Sequence, residues 1–97
     1  MTPDAFHLTL SQAAPPRELD VPLAALWWAK KGDWDKAHKL AQDDACREAA
    51  WVHAYLHRVE GDIGNAHYWY AQARRAAADG DFDAEWEAIV AALLNGR

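Results

Sequence analysis

Apolar residues recur along most of this chain at spacings of three and four, the period of one face of a helix. Leu23, Leu26, Trp27 and Lys30 follow the i, i+3, i+4, i+7 pattern. Asp20 is placed to cap that helix, Pro22 is tolerated in its first turn, and Gly32 supplies the left-handed residue that commonly ends one. Asp33 caps a second helix over about Trp34 to Asp43, and a third runs from about Cys46 to Glu60 and stops at Gly61. Asp62 caps a fourth, to about Ala77 or Ala78. Gly80 and Asp81 repeat the stop and cap before a fifth, which carries Phe82, Trp86, Ile89, Val90, Leu93 and Leu94. The first sixteen residues read differently. Phe6, Leu8 and Leu10 alternate with His7 and Thr9, the two-residue period of extended chain, and Pro15 and Pro16 end the stretch. The pattern therefore predicts an all-α domain over residues 17–97, about five helices as antiparallel hairpins, behind an extended or flexible N-terminal arm over 1–16.

The helical part repeats. Gly32-Asp33-Trp34-Asp35-Lys36-Ala37-His38 and Gly61-Asp62-Ile63-Gly64-Asn65-Ala66-His67 share Gly, Asp, Ala and His at an offset of 29, and Gly80-Asp81-Phe82 begins the motif again. This unit resembles the tetratricopeptide (TPR) hairpin, whose turn reads Gly-Asp-aromatic-x-x-Ala. The resemblance implies that Gly32 and Gly61 occupy the turn and that Ala37 and Ala66 are the small residues opening each second helix. Ala25 and Ala54 then take the small position of each first helix, Trp28 its aromatic one, and Tyr70 and Ala73 the late positions of a second helix. The offset departs from the usual period of about 34, His57 stands where the aromatic of Trp28 recurs, and no proline closes either unit. The segment from Trp51 to Asp62, with Asn65-Ala66 and Tyr68-Trp69-Tyr70, also looks like a motif of small uncharacterised proteins, which brings no function with it.

Composition narrows the function classes. Fifteen acidic against ten basic residues leave a net charge of −5, with the basic ones scattered. Nucleic acid and anionic membrane, which require a clustered basic face, are not expected partners. Cys46 is the only cysteine, so no internal disulfide can form. With no secretory pattern and no apolar run near 20 residues, the expected location is cytoplasmic. Six tryptophans, three tyrosines and two phenylalanines exceed what so short a chain readily buries. Self-association, most simply a two-fold homodimer, is one way to cover the surplus.

Chemistry concentrates on the third helix. Val52, Leu56 and Val59 form its apolar stripe; His53, His57 and Glu60 lie on one flank, and Trp51, Tyr55 and Arg58 on the other. His53 and His57 stand at i, i+4, the spacing that lets two imidazoles reach one metal ion, with Glu60 as an oxygen donor. Hydrogen bonding within the fold and contact with an organic or peptide ligand fit the same placement. Trp51, Tyr55 and Arg58 make either an aromatic platform carrying a guanidinium or a surface covered by the next hairpin. His38 and His67 read as surface residues with no necessary relation to that stripe. No nucleophile with its base and no phosphate-binding glycine loop is evident, and no cofactor is expected beyond a possible Zn²⁺. The expectation is a non-enzymatic interaction or self-association module. The alternative is a small-ligand or metal-binding protein, conceivably an enzyme, using His53, His57 and Glu60.

Overall fold

A computed structural model describes residues 1–96, and six helices and no strand are present among them. They are α1 (Pro3–Thr9), α2 (Val21–Lys30), α3 (Trp34–Gln42), α4 (Arg47–Glu60), α5 (Ile63–Ala73) and α6 (Phe82–Asn95). None is long and apolar enough to cross a membrane.

The boundaries follow local chemistry. Asp20, Asp33 and Asp62 accept from the backbone N–H three residues on, at 3.2, 3.1 and 3.2 Å, and so start α2, α3 and α5. Gly32 and Gly61 end α2 and α4 at φ +88° and +93°, a conformation that costs glycine little. The chain then turns so that Asp33 and Asp62 reach back to the carbonyls of Trp28 and His57, at 3.0 and 2.9 Å. Between α3 and α4, where no glycine stands, Asp44 accepts from the Cys46 N–H at 3.0 Å and Cys46 caps α4.

Three elements differ from the sequence reading. The N-terminal arm is not extended: its residues form α1, capped by Thr2 and opened by Pro3 in the first turn. On a helix Phe6 and Leu10 share one face at i, i+4, so Phe6 is fully buried and Leu10 packs beside it, while Leu8 points outward at 78% exposure. The count is therefore six helices rather than five. The helix after Asp62 stops at Ala73, not Ala77 or Ala78, because Arg74 adopts the left-handed conformation (φ 58°, ψ 44°) and the Arg75 N–H returns to the Tyr70 carbonyl at 3.0 Å. Val59, in the last turn of α4, is 38% exposed rather than core.

Helices α2 and α3 pack on each other, as do α4 and α5; α4 also meets α2, α3 and α6, and α1 lies on α6. The main core joins Phe6, Leu26, Trp27, Val52, Leu56, Trp86, Ile89 and Val90. An indole buried for its apolar area still needs a partner for its N–H. Trp27 donates to Thr9 Oγ1, Trp34 to the Leu56 carbonyl and Trp86 to the Leu26 carbonyl, at 3.1, 2.8 and 2.8 Å. Ala25, Ala37, Ala54 and Ala66, the repeat's small positions, are all essentially inaccessible. A second, smaller core of Ala54, Ala66 and Tyr70 joins α4 to α5.

Candidate functional site

Position i, i+4 on α4 aims His53 and His57 to the same side, and their rings stack with centroids 4.8 Å apart. That side faces α3. There Trp34 and His38, also i, i+4, stack nearly parallel at 4.7 Å. The packing of α3 on α4 brings the Nε2 atoms of His38 and His53 to 3.0 Å. Trp69 of α5 closes the other side, stacked on His53 at 4.0 Å. Three imidazoles from two helices are thus bracketed by two indoles. His53 and His57 are 4% and 7% exposed, and His38 is half-buried.

The proton inventory follows from the contacts. A carboxylate can only accept, so His57 Nδ1, at 2.7 Å from Glu60 Oε1, donates that bond. Between His38 and His53 one Nε2 donates and the other accepts. His53 Nδ1 is buried with no hydrogen-bond partner in either arrangement. Burial, and then the neighbouring His38 and His57, pushes the pKa of His53 down to about 4. Burial and then His57 also lower that of His38, against the opposing pull of Glu60 and Asp35. Both rings are therefore neutral at pH 7, the form that ligates metals.

One donor nitrogen from each of His38, His53 and His57 lies within 4.8 Å of the others. Zn–N bonds of about 2.0–2.1 Å in a tetrahedral site place neighbouring nitrogens about 3.3 Å apart. The 3.0 Å edge between His38 and His53 is close to that spacing. His57, Glu60 and Asp62 form a second such group, but Glu60 and Asp62 are exposed and Asp62 already caps α5.

The opposite flank of α4 is not the platform its spacing suggested. Arg58 is buried and committed: Nη1 donates to Glu85 Oε1 at 2.8 Å, Nη2 donates to the Gly80 carbonyl, and the guanidinium lies over Phe82. The second oxygen of Glu85 accepts from Tyr70 OH. Tyr55 is buried as well, its phenol pushed up to about 12, first by burial and then by the Glu85 charge. Trp51 instead carries Arg75, whose guanidinium sits 3.9 Å over its ring. Cys46 is no activated nucleophile, since burial raises its thiol pKa although the Ala49 N–H points at the sulfur.

Sequence reasoning placed His53, His57 and Glu60 together and missed His38, which it set on the surface. The available signal was the pairing of Trp34 and His38 at i, i+4, the same spacing as the histidines of α4. It also missed Glu85, an acid interrupting the apolar stripe of α6. No family model, curated protein or solved structure matches the chain. The chemistry of the cluster is argued from its own geometry.

Proposed function

We propose that this protein binds a divalent transition-metal ion, Zn²⁺ above all, through His38, His53 and His57, on a scaffold of two TPR-like helical hairpins. The observation that carries this reading is the convergence of three imidazoles from two helices within 4.8 Å, two of them buried. Imidazole suits Zn²⁺, Ni²⁺ and Cu²⁺, and the group of three histidines includes no thiolate or thioether to favour a softer ion. Glu60 is a positioning residue: by holding the Nδ1 proton of His57 it orients the ring and raises the basicity of Nε2. The scaffold is supported by the glycine turns at residues 32 and 61 and the buried alanines at 25, 37, 54 and 66.

Titration calorimetry of the untagged protein with Zn²⁺ tests this. One-to-one binding is expected, abolished by His38→Ala, His53→Ala or His57→Ala and retained in His67→Ala, whose side chain is exposed on α5. Glu60→Gln should weaken affinity by about 10–100-fold. At a free Zn²⁺ concentration of 100 times Kd the folded state should gain about 2.7 kcal/mol. Binding that survives His38→Ala would overturn the three-histidine site.

A second reading, a self-association module, has its own observation. Helix α5 packs mainly on α4 and leaves Ile63 and Tyr68 about half exposed. A second copy seated on that face would complete the stack as a two-fold dimer. Sedimentation should then give a dimer at high micromolar concentration that Tyr68→Glu dissociates. A clean monomer in the wild type removes the reading and leaves the metal site untouched.

A further inference from the structure

Away from the histidines, on the opposite flank of α4, two clefts meet at Trp51 and Arg75. The first, of about 540 Å³, is lined by Arg47, Glu48, Trp51, Ala73, Arg74 and Arg75. The second, of about 450 Å³, runs between the segment after α5 and helix α6, where Ala78, Ala84, Ala88 and Ile89 leave an apolar trough. We propose that these clefts together bind a single-chain amphiphile with an anionic head, the oxyanion held by Arg47, Arg74 and Arg75 and the alkyl tail lying in the alanine trough beside Trp51.

Charge supports the head site. The chain is net acidic, and four of its ten cations are held in ion pairs: Lys30 with Asp83, Lys36 with Asp33, Lys39 with Asp43 and Arg58 with Glu85. Arg47, Arg74 and Arg75 have no ion-pair partner among the described residues, yet they line one cleft. Glu48 is the one acid there and offsets one of the three charges. Arg75 is pre-positioned by the face of Trp51, so less side-chain freedom is lost when its planar fork meets a carboxylate or phosphate.

Backbone conformation adds a second observation. Arg74 is the only non-glycine residue with positive φ among the described residues. Glycine would adopt that conformation with less strain, and strained positions concentrate at ligand clamps. The turn at Arg74 brings two consecutive arginines to the lining of the cleft.

Shape supports the tail. Alanine side chains leave a trough instead of filling it. The acids at its floor are committed elsewhere, Glu85 to Arg58 and Tyr70, and Asp81 to capping α6. The combined volume falls in the range of small-molecule sites, about 300–1,000 Å³.

Titration calorimetry with decanoate and decyl phosphate below their micellar concentrations tests the proposal. Acetate and inorganic phosphate serve as head-only probes, and decyl glucoside, with a tail of the same length, as the neutral amphiphile. Saturable one-to-one binding of at least one anionic amphiphile is expected, about fourfold tighter per methylene until the trough is full. The head-only probes should bind at least a hundredfold more weakly and decyl glucoside at least tenfold more weakly. Tighter decyl phosphate identifies a lipid-phosphate head and tighter decanoate a fatty acid; both outcomes support the site. Arg75→Gln should lose at least tenfold, and Ala84→Phe should remove the dependence on tail length. Should either variant misfold, decanoate should still shift the Trp51 indole resonance of the wild type, assigned through Trp51→Phe. Absence of saturable binding, equal affinity for decyl glucoside, an unshifted Trp51, or folded Arg75→Gln and Ala84→Phe variants that both bind like the wild type would each overturn the proposal.

Discussion

Glu85→Ala is expected to cost about 3–5 kcal/mol, close to the loss that follows when one partner of a buried ion pair is removed. Glu85 sits on α6, and both of its oxygens are used: one accepts from Arg58 on α4, the other from Tyr70 on α5. Arg58 in turn donates to the Gly80 carbonyl in the segment joining α5 to α6. Removing the carboxylate leaves a guanidinium and a phenol buried without their acceptor. The penalty comes from those orphaned groups rather than from the worth of the ion pair itself. The double variant Arg58→Met/Glu85→Leu should therefore recover most of the loss, since no charge then remains buried. Urea denaturation of the single and double variants measures both values. A Glu85→Ala protein within 0.5 kcal/mol of wild type would show that the network carries no stability.

How much of this was legible in the sequence depends on the range of the interaction that decides each feature. Helix starts at Asp20, Asp33, Asp62 and Asp81 are set within three residues of the cap, so the residue types alone reveal them. The ends at Gly32 and Gly61 are equally local. The end of α5 was not legible, because the left-handed residue there is Arg74, a type that rarely adopts that conformation. The alternation of Phe6, Leu8 and Leu10 was ambiguous for the same reason of scale. Over so few residues an i, i+4 pair with one exposed leucine between them cannot be told from a strand until Trp86 supplies the surface against which Phe6 packs, 5.8 Å between ring centres. The candidate site divides along the same line. His53, His57 and Glu60 share one helix, and their common flank follows from 100° per residue. His38 joins them only through the packing of α3 against α4, a register that no local pattern specifies.

The metal-free protein is expected to lose about 3 kcal/mol of stability from His53 alone as pH falls from 6.5 to 4. In the folded state His53 takes up its proton only near pH 4, because it is buried and faces His38 and His57, whereas the ordinary value is 6.5. Between those values the unfolded chain binds more protons than the folded one, so stability falls with falling pH. The contribution is complete above about pH 6.5, is lost progressively toward pH 4, and declines no further below that, where both states are protonated. The magnitude is the difference between the two pKa values taken at 1.36 kcal/mol per unit. His38 on α3, lowered chiefly by burial, adds to the loss in the same direction. The charges facing the cluster oppose it only weakly, since Glu60 and Asp35 are exposed and act on His38, while α5 contributes the uncharged Trp69. Urea midpoints measured from pH 7.5 to 4.5 with a chelator present should therefore slope downward below about pH 6.5. His53→Gln should flatten that slope, and His67→Gln should leave it as in the wild type. An equal slope in His53→Gln would mean that the acid sensitivity arises elsewhere in the fold, and that His53 does not sit in the buried environment, facing His38 and His57, from which its lowered pKa follows.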